Sequence, residues 1–388
     1  MILRYFTNGI LRLLFITLIV TLIGIITLTY NWPNGAEAES VPHSTVGAAE
    51  DPEPTAASSE PLASIRLDDV LLAEPRPTPG QSIFFHETSS YDTKNKHLNI
   101  LKLTARQSCA IESAALHNPN FQVYVLFVDR KYSLVVDPNV GNRSIQQPLF
   151  DAILSYSNVR LRRLNLWRYA AGTPMEEWLR EGNLFRSRYV VSHISDFLRF
   201  LTLFRYGGLY LDMDVVVLRS MEDIPPNYTG AESDTFLAAG IMNLAASGFG
   251  HQIAASCLHD FQTNFDGNVW GQNGPEVITR VAQQICGTKN ISVMQTNRKR
   301  CLGFKVFGRG AFYAVTSDKW LNFFNPHKLE ETLARTKDSY AVHVWNSQSE
   351  KQPIKIGSTC AYAKYAEKNC PRAYHAAGTK QYECPSEE

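Results

Sequence analysis

Asp212 and Asp214 stand two residues apart inside an apolar run, Leu209-Tyr210-Leu211-Asp212-Met213-Asp214-Val215-Val216-Val217-Leu218. In an extended strand, side chains at i and i+2 share a face, so both carboxylates address one point. Hard oxygen donors in that arrangement suit Mg2+ or Mn2+. Such a cation bridges a diphosphate and neutralises the charge that develops as it leaves. The competing reading is a pair of solvated acids at a strand end. The apolar neighbours weigh against it, because two buried carboxylates without a cation are costly. Upstream, Asp196 and Arg199 lie three apart on a helical pattern and share a face. They read either as a carboxylate and a guanidinium aimed at a sugar and its phosphate, or as an intrahelical ion pair of little energetic weight.

Several other chemistries fit less well. Asp212-x-Asp214-Val215-Val216 also resembles the opening motif of haloacid-dehalogenase-like phosphatases, but the later Gly-Asp motif they need does not follow. A glycosidase needs carboxylates about 5–10 Å apart across a bond, too far for two acids serving one cation. Lys plus Arg is 38 against 37 for Asp plus Glu, and that near-zero balance argues against a phosphate-tracking nucleic-acid binder. With 44% hydrophobic and 19% charged residues, the chain is not disordered throughout.

The elements that must carry these acids follow from the hydrophobic pattern. Residues 83–86 read as a strand that enters a polar loop at 87–90, and 97–117 read as a helix stopped by Asn118-Pro119. Residues 122–128 and 159–166 read as strands. Residues 192–206 read as a helix ending at Gly207-Gly208, and 209–218 as the strand that holds both acids. The alternation predicts an α/β fold with a mostly parallel sheet covered on both faces. Ligands then sit beyond the strand C-termini. The Gly-rich loop 270–275 suits close approach of a ligand to backbone. By pattern alone His343, Trp270 and Trp345 read as core residues, and His86 as a strand cap.

The N-terminus points to a compartment. Residues 13–30 carry no charge and would span about 27 Å as a helix, at about 1.5 Å per residue. Arg4 and Arg12 precede them, and Glu37, Glu39, Glu50, Asp51 and Glu53 follow, so the bulk of the chain is expected to be lumenal. A signal peptide cleaved near Ala36-Glu37-Ala38 is the alternative. The expected plan is a cytosolic tail at 1–12, a signal anchor at 13–30 and a Pro/Ala/Ser/Glu-rich flexible stem at 31–82. A catalytic domain at 83–375 and a C-terminal tail at 376–388 follow. Asn142, Asn227 and Asn290 head N-glycosylation sequons. Of the 7 Cys, Cys286 and Cys301 are the expected disulfide, being close in sequence with a sequon between them.

The run Ser195-Asp196-Phe197-Leu198-Arg199-Phe200, followed by Gly207-Gly208-Leu209-Tyr210-Leu211-Asp212-Met213-Asp214, resembles the signature of glycosyltransferase family 32. These are retaining transferases with a DXD sugar-binding motif. More closely, the chain resembles their α-1,4-glycosyltransferase branch. Phe85-His86-Glu87-Thr88-Ser89, Cys109-Ala110-Ile111-Glu112-Ser113-Ala114-Ala115 and Trp270-Gly271-Gln272-Asn273-Gly274-Pro275 extend the likeness. So do Ala311-Phe312-Tyr313 and Tyr340-Ala341-Val342-His343-Val344-Trp345-Asn346, all in family order.

The resemblance implies a GT-A nucleotide-sugar fold and a type II Golgi membrane protein. It also implies a UDP-sugar donor, Mn2+ or another divalent cation, and an α-linked product. By position, Asp212 and Asp214 serve the cation and the diphosphate, with His343 a third ligand and Trp345 beside the diphosphate. Asp196 and Arg199 hold the donor sugar, with Tyr210 and Gly274 close by. His86, Glu87 and Thr88 line the nucleoside pocket. The family carries Gln before Gly-Pro where this chain has Asn273, a candidate catalytic position, so the donor stays open. No carboxylate stands out as a covalent nucleophile, and same-face attack is expected. The expected reaction moves galactose or N-acetylgalactosamine in α-1,4 linkage onto a terminal β-galactose or β-N-acetylgalactosamine of a glycosphingolipid. The alternatives are N-acetylglucosamine transfer to protein-linked O-glycans, or a non-catalytic lumenal sugar-binding protein.

Overall fold

The computed structural model of the protein describes residues 67–89, 103–128, 147–353 and 355–378. Strand β1 (Ser82–Glu87) is buried at every position. Its side chains alternate between two apolar clusters, with Ile83 and Phe85 in one and Phe84 in the other. A strand buried on both faces needs no polar alternation, which is why Ser-Ile-Phe-Phe-His-Glu carries none. Replacing Phe84 with Ala would cost roughly 3–5 kcal/mol.

β1 is flanked by β2 (Gln122–Val128) and β4 (Gly208–Leu211), both parallel to it, and β3 (Val159–Leu164) pairs parallel with β2. Two later strands, β6 (Tyr228–Ala231) and β7 (Leu237–Leu244), form an antiparallel hairpin. It joins β4 through β7 and carries β8 (Lys305–Phe307) beyond β6. The 7-stranded order is β3-β2-β1-β4-β7-β6-β8. A second sheet pairs β5 (Val215–Val217) with β9 (Ala341–His343) in antiparallel register. The architecture is mixed α/β with a predominantly parallel sheet. The antiparallel hairpin was not anticipated from the alternation.

Helices cover both faces. α1 (Ala105–His117) packs on one side, tied by a disulfide from Cys109 to Cys370 between α5 (Ala361–Asn369) and α6 (Pro371–Ala376). The helix predicted from 97 starts at 105, because Thr104 and Gln107 close a capping box there; 97–102 lie outside the described residues. On the other side, α2 (Val190–Tyr206) packs with α3 (Gly248–Asn264) and α4 (Pro275–Cys286) through Ile194, Phe197, Leu201, Ile253 and Val281. Gly207, with φ 61, ends α2 in a conformation that a β-carbon would strain. Residue 159–166 was predicted as one strand, but Asn165 caps a short helix at Leu166–Ala170 and stops it at Leu164.

The strand expected over 209–218 is broken where the chemistry lies. β4 stays in the main sheet, β5 leaves for β9, and Asp212 to Asp214 form the crossover, closed by a 3.1 Å bond from the Val215 N–H to the Asp212 carbonyl. The two acids converge through a turn rather than along a strand face. The stem expected through residue 82 ends earlier. Leu67 and Val70 are buried, the Val70 N–H donates to the Arg163 carbonyl at 2.9 Å, and the Tyr124 hydroxyl donates to the Pro75 carbonyl at 2.9 Å. The signal anchor at 13–30 and the sequon at Asn142 lie outside the described residues. Among the described residues, no helix is long and apolar enough to cross a membrane.

Candidate active site

A cleft of about 450 Å3 opens beyond the C-terminal ends of β1 and β4. At its centre one ligand atom each from Asp212, Asp214 and His343 lies within 4.8 Å of the others. His343 Nε2 stands 3.2 Å from Asp214 Oδ1 and 3.6 Å from Asp212 Oδ2. The β5–β9 pairing does this, setting Val215 opposite His343. Asp214 is held from behind: its Oδ2 accepts from the Asn346 N–H at 2.8 Å, and its carbonyl accepts from the Val344 N–H at 3.0 Å. Trp345 reaches that turn at φ 57, a left-handed conformation costing a non-glycine residue about 1–2 kcal/mol. The strain wraps 344–346 around the Asp214 carboxylate.

Two carboxylates and one imidazole form a donor set that fits Mn2+ or a similar divalent ion. Beside them Gly240 leaves no room to spare. A β-carbon there would fall 2.7 Å from Asp212 Oδ2 and 3.2 Å from His343 Cδ2. The electrostatics also favour a cation. Burial pushes the Asp214 pKa up and His343 only partly offsets this, with Asp212 adding repulsion. Burial would raise Asp212 too, but Arg199, His343 and the Tyr210 hydroxyl overcome it and hold that carboxyl well below the usual range. For His343, burial opposes protonation while Asp214 and Asp212 favour it, and the net shift is upward.

A second charged group adjoins the first. Arg199 lies 3.1 Å from Asp196 Oδ1 and 3.2 Å from Asp212 Oδ1, and its guanidinium sits 4.8 Å from the Tyr210 ring centre. The Tyr210 hydroxyl donates to Asp212 Oδ1 at 2.6 Å. Asp196 and Arg199 are thus more than an exposed intrahelical pair, since both are buried and linked to Asp212. Burial pushes the Asp196 pKa up to about 7 against the pull of Arg199. Gly274, preceding α4, makes room for it: a β-carbon there would meet Asp196 Oδ1 at 2.3 Å.

Residues 104–231 match the glycosyltransferase sugar-binding region containing the DXD motif, and 246–377 match the α-1,4-glycosyltransferase conserved region. Human lactosylceramide 4-α-galactosyltransferase is 30% identical over 304 residues, covering 77% of this chain and 78% of that one. The chain belongs to the α-1,4-glycosyltransferase family. Human α-1,4-N-acetylglucosaminyltransferase is 26% identical over 268 residues, covering 69% of this chain and 74% of that one. Among solved structures, the galactosyltransferase LgtC aligns over 75% of this chain and 95% of its own, with a TM-score of 0.31 and 15% identity.

This α-1,4-glycosyltransferase is a hexosyltransferase, and its other expected site residues can be placed. His86, Glu87 and Thr88 line the cleft at the end of β1. His86 Nε2 meets the Thr202 hydroxyl at 3.0 Å, while burial and Arg199 push its pKa down to about 3, so the ring is neutral. Thr88 donates to the Val191 carbonyl at 3.1 Å, and Glu87 accepts from the Ser89 N–H at 3.0 Å and its hydroxyl at 2.8 Å. Trp345 lines the cleft with its Nε1 donating to the Val315 carbonyl at 3.0 Å.

Asn273 is placed by its own loop. It is buried outside the cleft lining, its Oδ1 accepting from the Asp266 N–H at 3.1 Å and its Nδ2 donating to the Asp266 carbonyl at 2.8 Å. With both ends of the amide bonded to Asp266, it braces the 266–273 loop.

The Cys286–Cys301 disulfide forms as expected. The distant Cys109–Cys370 pair gave no signal in spacing. Asn290 is exposed, whereas Asn227 is half-buried and its Oδ1 accepts from the Ala245 N–H at 2.9 Å. The cleft also contains Glu232 and Tyr313, neither read as a site residue from sequence. Glu232 sits in an acidic hairpin tip, Glu232-Ser233-Asp234, where pattern alone cannot say which acid turns inward.

Proposed function

We propose that the protein is a retaining, Mn2+-dependent transferase with a GT-A fold. It moves galactose or N-acetylgalactosamine from a UDP-sugar, in α-1,4 linkage, onto a terminal β-galactose or β-N-acetylgalactosamine of a glycosphingolipid. The observation that carries this is the convergence of Asp212, Asp214 and His343 in a cleft beyond the parallel strands. These three side chains would hold the ion, which when bound neutralises charge on the departing diphosphate. Arg199 presents a fixed guanidinium beside Asp212 and adds positive charge where the diphosphate lies. Tyr210 and Asp196 fix that guanidinium. Neutral His86, with Glu87 and Thr88, lines the nucleoside end, where hydrogen bonding and shape, not charge, select the base. Trp345 closes the wall beside His343, their ring centres 4.4 Å apart.

The proposed location is the Golgi membrane, as a single-pass type II protein with the catalytic domain lumenal. The uncharged run at 13–30, the flanking Arg4 and Arg12, and two disulfides that suit an oxidising compartment support it.

The test is transfer by the full-length chain in membranes. UDP-galactose, UDP-N-acetylgalactosamine and UDP-N-acetylglucosamine are each offered with Mn2+ and with either lactosylceramide or an O-glycan acceptor. The expected product is an α-1,4-linked galactosyl or N-acetylgalactosaminyl glycolipid, lost on chelation. Transfer of N-acetylglucosamine to O-glycans alone would replace this reading with that of the second relative.

A further inference from the structure

Two polar groups in the cleft have no role in the scheme above. The Tyr313 hydroxyl is buried with no hydrogen-bond partner among the described residues, on a ring that lines the cleft. The Glu232 carboxylate lines the same cleft, and no hydrogen bond or ion pair to it is found among the described residues. Every other acid lining the cleft has a partner: Glu87 has Ser89, Asp196 has Arg199, Asp212 has Arg199 and Tyr210, and Asp214 has the Asn346 N–H. An unpaired buried hydroxyl calls for an explanation, and with a half-buried unpaired carboxylate in the same cleft that explanation is a ligand.

Both groups are firmly placed. The Tyr313 ring packs against His343 and Trp345, with ring centres 5.7 and 5.9 Å away. Gly230 seats its other edge, since a β-carbon there would fall 2.9 Å from Tyr313 Cε2. Glu232 opens the β6–β7 turn, its N–H donating to the Phe236 carbonyl at 3.0 Å. Small residues, Ala238, Ala239 and Gly240, line the same cleft.

We infer that Tyr313 and Glu232 together grip a hydroxyl of the transferred hexose and so determine donor specificity. The chemistry is complementary. A phenol donates, a carboxylate accepts, and a sugar hydroxyl does both. The position is right as well. Tyr313 packs against His343 of the cation cluster, and both line the cleft. This inference rests on the UDP-sugar reading and deepens it.

The test compares UDP with UDP-galactose and UDP-N-acetylgalactosamine, by calorimetry on the full-length chain with Mn2+, for wild type, Tyr313→Phe and Glu232→Gln. Transfer kinetics on the same samples supply kcat and both KM values. Either substitution should weaken UDP-sugar binding on the order of tenfold. UDP affinity should stay within about twofold and the acceptor KM should not move. Equal weakening of UDP and UDP-sugar would overturn the inference. So would a rise confined to the acceptor KM, or no change in either variant. Wild-type transfer separates the two levels. If wild type transfers sugar and the variants match it, only this inference fails. If wild type transfers nothing, the functional reading fails, and a wild type that binds UDP-sugar no better than UDP fails the inference independently.

Discussion

The two halves of the cleft are built differently. The β1–β4 half takes its groups from three short stretches: 86–88 at the end of β1, 196–199 on helix α2, and 210–212 at the end of β4, which pairs parallel with β1. The half beyond Asp214 takes His343, Trp345, Tyr313 and Gly240 from widely separated segments, brought together by the β5–β9 pairing and the β6–β7 hairpin. In the first half local sequence fixes the site, and in the second long-range register does. The cation cluster straddles the seam, with Asp212 on one side and Asp214 on the other.

The strongest way to break that comparison is at the seam. Asp214→Asn keeps shape but removes the charge that faces His343, and the Asn346 N–H then donates to a weaker, neutral acceptor. Transfer should fall at least about 10^3-fold, and Mn2+ binding should vanish in calorimetry while Tm holds. A variant retaining both would show that the far half contributes no chemistry. Thr88→Ala, in the near half, should raise the donor KM with kcat little changed.

The disulfides extend the contrast to stability. Cys109–Cys370 closes a loop with a sequence separation of 261, and Cys286–Cys301 closes one of 15. In the chain-entropy account the long loop contributes about 5 kcal/mol and the short one about 3 kcal/mol. Replacing Cys109 and Cys370 by Ser should therefore lower Tm more than replacing Cys286 and Cys301, by roughly 5 °C. Equal shifts in scanning calorimetry would show that local packing, not loop closure, sets their worth.

This asymmetry also explains what could be read from sequence. β1, β2, α2 and the Asp196–Arg199 pair were legible, because apolar periodicity and the i, i+3 relation act within a few residues. The DXD acids were legible as a pair, but not their turn, since β5 leaves the sheet only because β9 waits more than a hundred residues away. His343 looked like a core histidine for the same reason; the family resemblance, not its own neighbours, marked it as a ligand. Tyr313 and Glu232 carry no local signal: one sits in an aromatic run and the other in an acidic turn. The bonds of Asn273 to the Asp266 backbone were not legible either, because they cross a loop that periodicity does not describe.

A smaller effect sharpens the near half. Gly274→Ala would push a β-carbon to 2.3 Å from Asp196 Oδ1, and overpacking of this kind costs about 1–3 kcal/mol. Donor KM should rise several-fold and Tm should drop. Combining it with Asp196→Ala should cost less than the sum of the single changes, because the clash goes with the carboxylate. Strict additivity in denaturant unfolding would mean that the two positions do not touch.

The last expectation is the subtlest, and it sets two buried groups of the near half against each other. Asp196 has its pKa raised from 3.8 to about 7 by burial, so the native state holds that proton more tightly than the unfolded chain. Its contribution is full below pH 4 and is lost as pH rises through about 7. His86 has its pKa lowered from 6.5 to about 3, chiefly by burial, so its contribution is full above pH 6.5 and is lost as pH falls through about 3. Between pH 4 and 6.5 the two slopes oppose. Asp196→Asn removes one of them, so stability of that variant relative to wild type should rise with pH across this window. Asp212 shares Arg199 with Asp196, so the difference reads the Asp196 proton together with that coupling. Tm measured from pH 4 to 8 with chelator present decides it: parallel curves would mean that the Asp196 proton is not held as its burial against Arg199 requires.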